Sequence, residues 1–148
     1  MARTAAILLV DDDANDALLV RKAAQKTLAG IPILVVSNGQ EAVHYLQGEG
    51  IYADRSKYPF PDIVLLDLKM PIMNGFEVLR WVRSQPKLRR LPVILLTSSS
   101  QTADINRAYD LGANSFLVKP PDLDSLTQLV KTVANYWVQT NVRPVANA

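Results

Sequence analysis

Residues 63–71 have the sequence Ile63-Val64-Leu65-Leu66-Asp67-Leu68-Lys69-Met70-Pro71. Four apolar residues run directly into a carboxylate, without the alternation of a half-exposed strand or the spacing of an amphipathic helix. The run predicts a strand that is covered on both faces, as in the centre of a parallel sheet. Asp67 has no helix of its own to cap, because the next helix starts only at Asn74, beyond Pro71. A charge in this position therefore suggests a functional role.

Apolar runs alternate with helical patterns along the chain. The predicted strands are residues 6–10, 33–36, 63–66, 93–96 and 116–118. The predicted helix starts are Asp13, Asn38, Asn74, Ser99 or Ser100, and Asp122. Strands that alternate with helices imply right-handed crossovers between parallel strands. The sequence therefore predicts an α/β, doubly wound parallel sheet of five strands with five helices.

The helices and loops carry further local signals. The expected buried face of the first helix consists of Ala17, Val20, Ala24 and Leu28. Gly30 is expected to end that helix. In the second helix, Glu41 is expected to complete a capping box with Asn38. Residues 48–61 are rich in Gly, Pro, Tyr and charge, which predicts a surface loop that contributes nothing to the core.

Length and composition fit one compact domain. The chain has 148 residues, of which 49% are apolar and 20% charged, as is ordinary for a globular protein. We expect a domain over residues 1–140 and a flexible tail over 141–148. Cysteine is absent, which excludes disulfides, thiol nucleophiles and cysteine metal sites. No apolar stretch is long enough for a bilayer and no signal-peptide pattern is present, so we expect a cytoplasmic protein.

The single histidine and a cluster of basic residues do not indicate a histidine-based active site or a nucleic-acid surface. His44 is the only histidine, and one imidazole without a partner makes neither a catalytic pair nor a ligand set. A basic cluster lies near the end of the third helix, made of Arg80, Arg83, Lys87, Arg89 and Arg90. A solvated helix end and loop account for this cluster. Direct nucleic-acid binding is therefore not expected.

Polar residues follow four of the predicted strands. They are Asp11 and Asp12 after the first strand, Asp67 after the third, Thr97 after the fourth and Lys119 after the fifth. In an open parallel sheet, ligands bind beyond the carboxyl ends of the strands, where the strand order reverses. In a sheet ordered 2-1-3-4-5, that reversal lies beside the strands that carry the carboxylates. Converging carboxylates raise one another's pKa unless a cation lies among them, and oxygen ligands suit Mg²⁺.

The strand-end residues also suggest a reaction. Asp13 is either a helix cap or a metal ligand, and we prefer the cap, which leaves Asp11 and Asp12 for the metal. Thr97 and Lys119 would add a hydroxyl and an ammonium beside Asp67. These groups could neutralise the oxygens of a phosphoryl group on that carboxylate. An ionised carboxylate can attack phosphorus without a general base, so an aspartyl phosphate is a reasonable product.

Six segments resemble the CheY-like receiver domains of two-component response regulators. They are Ile7-Leu8-Leu9-Val10-Asp11-Asp12, Val64-Leu65-Leu66-Asp67-Leu68-Lys69-Met70-Pro71, Met73-Asn74-Gly75, Leu95-Leu96-Thr97-Ser98, Leu111-Gly112-Ala113 and Phe116-Leu117-Val118-Lys119-Pro120. The segments follow the order of that family and cover nearly the whole chain. The resemblance implies a flavodoxin-like fold with the strand order 2-1-3-4-5.

The resemblance also implies a metal site and a phospho-acceptor. Asp67 would accept the phosphoryl group from a histidine kinase or a phosphotransfer protein. Asp12 and Asp67 would bind Mg²⁺ directly. The backbone carbonyl of Lys69 would be a further ligand, and Asp11 would hold a metal-bound water. Such a protein signals through its own phosphorylation and slow self-dephosphorylation, and it is not an enzyme in the usual sense.

Other residues match the family's switch. Thr97 would contact the phosphoryl oxygens and Lys119 would pair with the phosphate. The Lys119–Pro120 peptide bond would be cis. Phe116 stands where the family has its switch aromatic, although a plain core position explains this residue equally well. Phosphorylation would then change the surface formed by the fourth helix, the fifth strand and the fifth helix.

Features outside the motifs narrow the resemblance. The long loop before the third strand, Pro121 after Pro120 and the pair Tyr136-Trp137 are similar to stand-alone regulators that partner bacterial phytochromes. A sensor histidine kinase, for example a bacteriophytochrome, is the implied partner. A homodimer through the surface of the fourth helix, fifth strand and fifth helix is a further expectation.

Two alternative functions stay open from the sequence. Asp11 and Asp13 have the Asp-x-Asp spacing of haloacid-dehalogenase-like phosphatases, in which Asp11 would be the nucleophile and Asp13 the acid. That interpretation leaves Asp67 unexplained. The other alternative is a receiver-like binding module that never takes phosphate, although such a module has no need to keep Asp67, Thr97 and Lys119 together.

Overall fold

The computed structural model describes residues 5–27 and 31–144. Its elements are β1 Ile7–Val10, α1 Ala14–Thr27, β2 Ile33–Val36, α2 Gly39–Gln47, β3 Ile63–Leu66, α3 Gly75–Ser84, β4 Val93–Thr97, α4 Thr102–Asp110, β5 Ser115–Val118 and α5 Leu123–Val133. α5 continues into wider, π-helical turns over Ala134–Thr140. The five predicted strands are confirmed, each to within one residue at either end.

The strands form one parallel sheet in the order β2-β1-β3-β4-β5. The predicted order is confirmed, and the order reverses between β1 and β3. Val10 of β1 lies opposite Leu66 of β3 in the sheet register. Asp67 then donates its amide to the carbonyl of Val10 at 3.0 Å. Asp11 and Asp67, the residues that follow this pair, therefore leave the sheet side by side.

Both faces of the sheet are buried, which explains the unbroken apolar runs of the strands. Alternate residues of each strand point to opposite faces. The layer beneath α2, α3 and α4 includes Leu8, Val10, Val64, Leu66, Val93 and Leu95. The layer beneath α1 and α5 includes Ile7, Leu9, Ile63, Leu65, Ile94 and Leu96. The carboxylates that end β1 and β3 are thus fixed by two packed layers rather than by a mobile loop.

Side-chain caps fix most of the helix starts. Asp13 accepts the amides of Asn15 and Asp16 through Oδ1, at 2.8 and 3.2 Å, so the cap interpretation of Asp13 is confirmed. Asn74 and Glu77 form a complete capping box at the start of α3. The predicted caps of α2 and α5, Asn38 and Asp122, also accept an amide three residues ahead.

Two capping predictions were wrong in detail. α4 begins after Gln101, whose side chain makes no capping bond. Neither of the expected caps, Ser99 and Ser100, is the N-cap residue. Ser99 donates its hydroxyl to the Asp104 carboxylate at 2.6 Å, so it ties the preceding loop to the helix instead. In α2, the Glu41 carboxylate accepts from the Tyr52 hydroxyl at 2.7 Å, because an aromatic side chain from the next loop reaches it.

The segment 48–61 does contribute to the core, against our expectation. It contains a short 3₁₀ turn, Gly50–Ala53. Tyr52 and Tyr58 pack against the buried ring of Tyr45, with ring centroids 5.0 and 6.2 Å away. Tyrosine has an apolar body and a polar tip, so a polar-looking loop can still bury its rings.

Some expectations fall outside the described residues: Leu28, Gly30 and residues 145–148. Within the tail, the Arg143 Nε lies 3.8 Å from the buried carboxylate of Asp62. The domain boundary at residue 140 stays a prediction. Among the described helices, none combines the length and the apolar character that a membrane crossing requires.

Candidate functional site

Three carboxylates meet where β1 and β3 end. Oxygens of Asp11, Asp12 and Asp67 all lie within 4.8 Å of one another. Asp11 and Asp67 are 2% and 7% exposed, whereas Asp12 is open to solvent. This is the edge of the sheet at which the strand order reverses, the usual ligand position in such folds. The predicted convergence of the strand-end carboxylates is confirmed.

Lys119, the residue after β5, brings a positive charge to this cluster. Its Nζ lies 2.7 Å from Asp11, 2.9 Å from Asp16 and 3.3 Å from Asp67. The Lys119 side chain is only 10% exposed. Its amide also donates to the carbonyl of Thr97 at 2.8 Å, which fixes the backbone next to the end of β4. The expected approach of Lys119 to Asp67 is therefore present.

Burial and charge work against each other in this cluster. Burial raises the pKa of Asp11, and the hydrogen bonds from Lys119 and the Asp13 amide only partly offset this effect. Burial by itself lowers the pKa of Lys119, but hydrogen bonds to Asp11 and Asp16 outweigh it and raise that pKa. One ammonium thus serves several carboxylates, so negative charge remains uncompensated. An oxygen-only donor set with excess negative charge fits a hard divalent cation.

Hydrogen bonds fix both ends of the loop between β3 and α3. Asp67 accepts the amide of Leu68 through Oδ1 at 2.7 Å. The Gly75 amide donates to the Leu68 carbonyl at 2.9 Å. Between them, Ile72 has a φ of 70°, and the amide of Met73 donates to the carbonyl of Pro71 at 2.7 Å. This is a γ-turn, and the left-handed conformation is strained for a β-branched residue.

A cavity of about 450 Å³ opens beside the acidic cluster. Asp12, Lys69, Phe76 and Asp104 are among its lining residues. Lys69 follows Asp67 by two residues in the same loop, and its role as a carbonyl ligand stays a prediction. The cavity gives a ligand an open route to the carboxylates from the side of α3 and α4.

Thr97 lies at the end of β4 and is 1% exposed. Its hydroxyl accepts a long hydrogen bond of 3.4 Å from the amide of Ser99. Ser99 in turn is bonded to Asp104, so the loop after β4 is tied to the first turn of α4. The contact of Thr97 with a phosphoryl group stays a prediction.

Phe116 and Pro120 complete the predicted set. Phe116 is partly buried and packs against the core layer beneath α2, α3 and α4, so its core position is confirmed and its switch role stays a prediction. The cis prediction for the Lys119–Pro120 bond was wrong, because the described residues contain no cis peptide bond. The trans isomer is the lower in energy, and the Lys119 side chain reaches the carboxylates from it.

Two residues of the site were not predicted from the sequence. Asp16 contacts Lys119, and Asp104 lines the cavity beside the carboxylates. A usable signal was available for Asp16. It lies in the first turn of α1, which begins directly beside the carboxyl end of β1, so its side chain starts close to the cluster.

The comparisons with known proteins agree with this geometry. The response regulator receiver domain family matches residues 7–131. Response regulator Rcp1 of Synechocystis is 33% identical over 140 residues, covering 95% of this chain and 93% of Rcp1.

Two solved structures are similar over almost their full length. One is the phosphorylated cyanobacterial phytochrome response regulator RcpA, with a TM-score of 0.89 and 36% identity, covering 97% of this chain and 100% of RcpA. The other is the Mn²⁺-bound form of Rcp1, with a TM-score of 0.84 and 32% identity, covering 95% of this chain and 99% of that one.

Proposed function

The chain belongs to the family of response regulator receiver domains, and we propose that it receives its phosphoryl group on Asp67. It is therefore a signalling protein of that family. The observation that carries the choice of Asp67 is the cluster itself. Asp67 is buried, shares the edge of the sheet with Asp11 and Asp12, and lies 3.3 Å from the ammonium of Lys119.

We propose Mg²⁺ as the cation of this site. Asp12 and Asp67 would bind it directly, the backbone carbonyl of Lys69 would be a third ligand, and Asp11 would hold a bound water. The excess of carboxylate over ammonium charge supports a dication, and the relative Rcp1 has been solved with Mn²⁺. Bound Mg²⁺ would offset charge on the phosphoryl oxygens.

The transfer step needs little from the protein beyond position and charge. An oxygen of Asp67 forms a bond to phosphorus while the bond from phosphorus to the donor's leaving group breaks. A carboxylate attacks as an anion, so the step needs no general base to remove a proton. Lys119 and the hydroxyl of Thr97 would contact the phosphoryl oxygens and balance their charge.

Signalling would follow from a change of surface. We propose that Thr97 moves toward the phosphoryl group and that the ring of Phe116 takes the space it leaves. The face formed by α4, β5 and α5 would change as a result. Tyr109 of α4 and Val118 of β5 are 49% and 44% exposed, which supports this face as a contact surface, including one between two copies of the chain.

Receiver domains act with histidine kinases, and we propose that the partner here is a sensor kinase of the bacteriophytochrome type or a phosphotransfer protein. The similarity to the phytochrome response regulator RcpA supports the first choice. A cytoplasmic location and the lack of direct nucleic-acid binding stay predictions.

The phosphatase alternative has less support. Asp13, which would be its acid, already accepts two backbone amides as the cap of α1. Asp11, which would be its nucleophile, is paired with Lys119 and the Asp13 amide. The family match also favours the phospho-acceptor function over the inert module.

The direct test is chemical phosphorylation. Acetyl phosphate with Mg²⁺ should label the wild-type protein once, and peptide mass spectrometry should place the label on Asp67. Asp67→Asn should abolish labelling, whereas Asp11→Asn should only slow it. Asp124→Asn is the matched control, because Asp124 is an exposed carboxylate in the first turn of α5 and should leave labelling unchanged.

Each alternative predicts a different result. A label on Asp11 would favour the phosphatase. No label, together with no Mg²⁺ binding, would favour the inert module. For the dimer, sedimentation should show heavier species with beryllofluoride and Mg²⁺, and Val118→Asp should prevent them. A sedimentation profile that neither treatment changes would count against self-association through this face.

A further inference from the structure

One of the three carboxylate partners of Lys119 has no part in the proposed function. Asp11 and Asp67 belong to the acidic cluster, but Asp16, whose Oδ2 lies 2.9 Å from Nζ, does not. We propose that Asp16 is a positioning residue, which holds the Lys119 ammonium beside Asp67 when a cation occupies the cluster. This inference rests on the proposed function, because it concerns the same site.

The ordinary role of an acidic residue in a first helical turn does not account for the direction of this side chain. In a capping box, the carboxylate at this position would accept the amide of the N-cap residue, here Asp13. That amide donates instead to Oδ1 of Asp11 at 2.9 Å. The Asp16 carboxylate extends to Lys119, a residue 103 positions away in the chain.

A bound dication creates the need for such a partner. The cation and the Lys119 ammonium are both attracted to the carboxylates of Asp11 and Asp67. Because both are positive, they also repel each other at short range. With Asp67 bound to the cation and Asp11 to the water on it, both carboxylates would be less available to Lys119. Asp16 is the remaining one, and it lies outside the cluster of cation ligands.

The Lys119 side chain also has space to move away from Asp67. A cavity of about 230 Å³ lies beside it, lined by Asp16, Lys119, Pro120 and Pro121 among others. A long, flexible ammonium side chain would gain rotamer freedom and hydration by moving there. An ion pair with Asp16 opposes that movement and keeps the charge near Asp67.

Asp16 is held firmly enough to act as an anchor. Its amide donates to the cap residue Asp13 at 3.2 Å, and α1 packs against α5, the helix that begins shortly after Lys119. The anchor and the lysine are therefore fixed by neighbouring elements. The Asp16 side chain keeps 39% exposure, so the pair is also accessible to salt.

The first experiment observes the ammonium itself and needs no phosphorylation. In ¹⁵N-labelled protein, the side-chain NH₃⁺ signal of Lys119, assigned with Lys119→Met, should persist on addition of Mg²⁺. In Asp16→Asn the signal should be lost when Mg²⁺ is added, because the ammonium moves into solvent. Asp16→Glu, which keeps the charge, and Asp124→Asn, the control, should both retain it. A signal that survives Mg²⁺ in Asp16→Asn would overturn the proposal.

The second experiment measures phosphorylation by acetyl phosphate. Asp16→Asn should slow it about fivefold, the effect of one modest ion pair. In the Lys119→Met background the same substitution should have no further effect, since Asp16 acts through the lysine. An equal loss in both backgrounds would assign Asp16 a merely structural role. If the wild type takes no phosphoryl group, the proposed function fails, and the Mg²⁺ experiment still decides the role of Asp16.

Discussion

The backbone of Gly75 lies so close to Asp67 that a Cβ atom at position 75 would overlap the Asp67 carbonyl oxygen. The same atom would also lie 2.9 Å from the Cα of Leu68. These neighbours are backbone atoms, which cannot rotate away as the end of a side chain can. The start of α3 therefore sets the position of the proposed phospho-acceptor.

Gly75→Ala should disturb both stability and the site. We expect a loss of about 1–3 kcal/mol in the free energy of unfolding, because the backbone must shift to make room. Phosphorylation by acetyl phosphate should slow as Asp67 moves with it. The control is Gly50→Ala, where the Cβ would meet nothing within 4 Å, although φ is +60°. Urea unfolding of Gly50→Ala should show a loss of about 1 kcal/mol from the left-handed backbone alone, with the labelling rate unchanged.

Arg83 should be a major stabilising residue. Its guanidinium donates to the carbonyls of Gly112 and Leu91 at 2.9 and 2.8 Å and to the Asn114 side chain at 2.7 Å. Burial lowers the pKa of Arg83, yet arginine stays charged. Arg83→Lys cannot reproduce this planar set of bonds, so we expect a loss of about 2 kcal/mol in urea unfolding.

The control for this prediction lies on the same helix. Arg80→Lys, at an exposed position of α3, should change the free energy of unfolding by less than about 0.5 kcal/mol. Equal effects of the two substitutions would mean that charge, not hydrogen-bond geometry, is what Arg83 supplies.

The strands and the strand-end residues could be predicted because their signals are local. A strand buried on both faces must be apolar throughout, so the first charge marks its end, as Asp67 does after Leu66. Parallel register then brings such ends together at one edge. Asp11, Asp67 and Lys119 were found in this way, without knowledge of any contact between them.

The missed features depend on how separate elements pack. The contact of Asp16 with Lys119 exists only because α1 lies beside the segment after β5. The rings of Tyr52 and Tyr58 became part of the core because Tyr45 offers them a buried surface, and nothing within residues 48–61 indicates this. Similarly, the sequence does not show that the Ser99 hydroxyl bonds to the Asp104 carboxylate, five residues ahead, rather than capping α4.

The tyrosine cluster should make the fold sensitive to alkali. Burial raises the pKa of Tyr45 to about 12, and burial with the hydrogen bond to Glu41 raises that of Tyr52 to about 12. Above the ordinary value of 10.0, an unfolded tyrosine ionises while a folded one stays neutral. The stability supplied by the neutral rings is therefore complete below pH 10.0 and is lost as pH rises toward about 12.

Urea unfolding at a series of pH values tests whether stability falls as the pH rises above 10.0. Tyr52→Phe should lower stability near pH 8 by about 1 kcal/mol, because the hydrogen bond to Glu41 is lost. Its stability should then fall less steeply than that of the wild type above pH 10.0. Parallel curves for the two proteins would show that Tyr52 titrates alike in the folded and unfolded states.

Magnesium should stabilise the folded protein, since the unfolded chain cannot hold Asp11, Asp12 and Asp67 together. At a Mg²⁺ concentration one hundred times the Kd, the expected gain is about 2.7 kcal/mol in the free energy of unfolding. Chelation with EDTA should remove the gain. Asp12→Asn should weaken it strongly at the same Mg²⁺ concentration, because Asp12 is an exposed carboxylate of the cluster and the proposed direct ligand. An equal gain from NaCl at matched ionic strength would instead indicate general screening of the carboxylates rather than a bound ion.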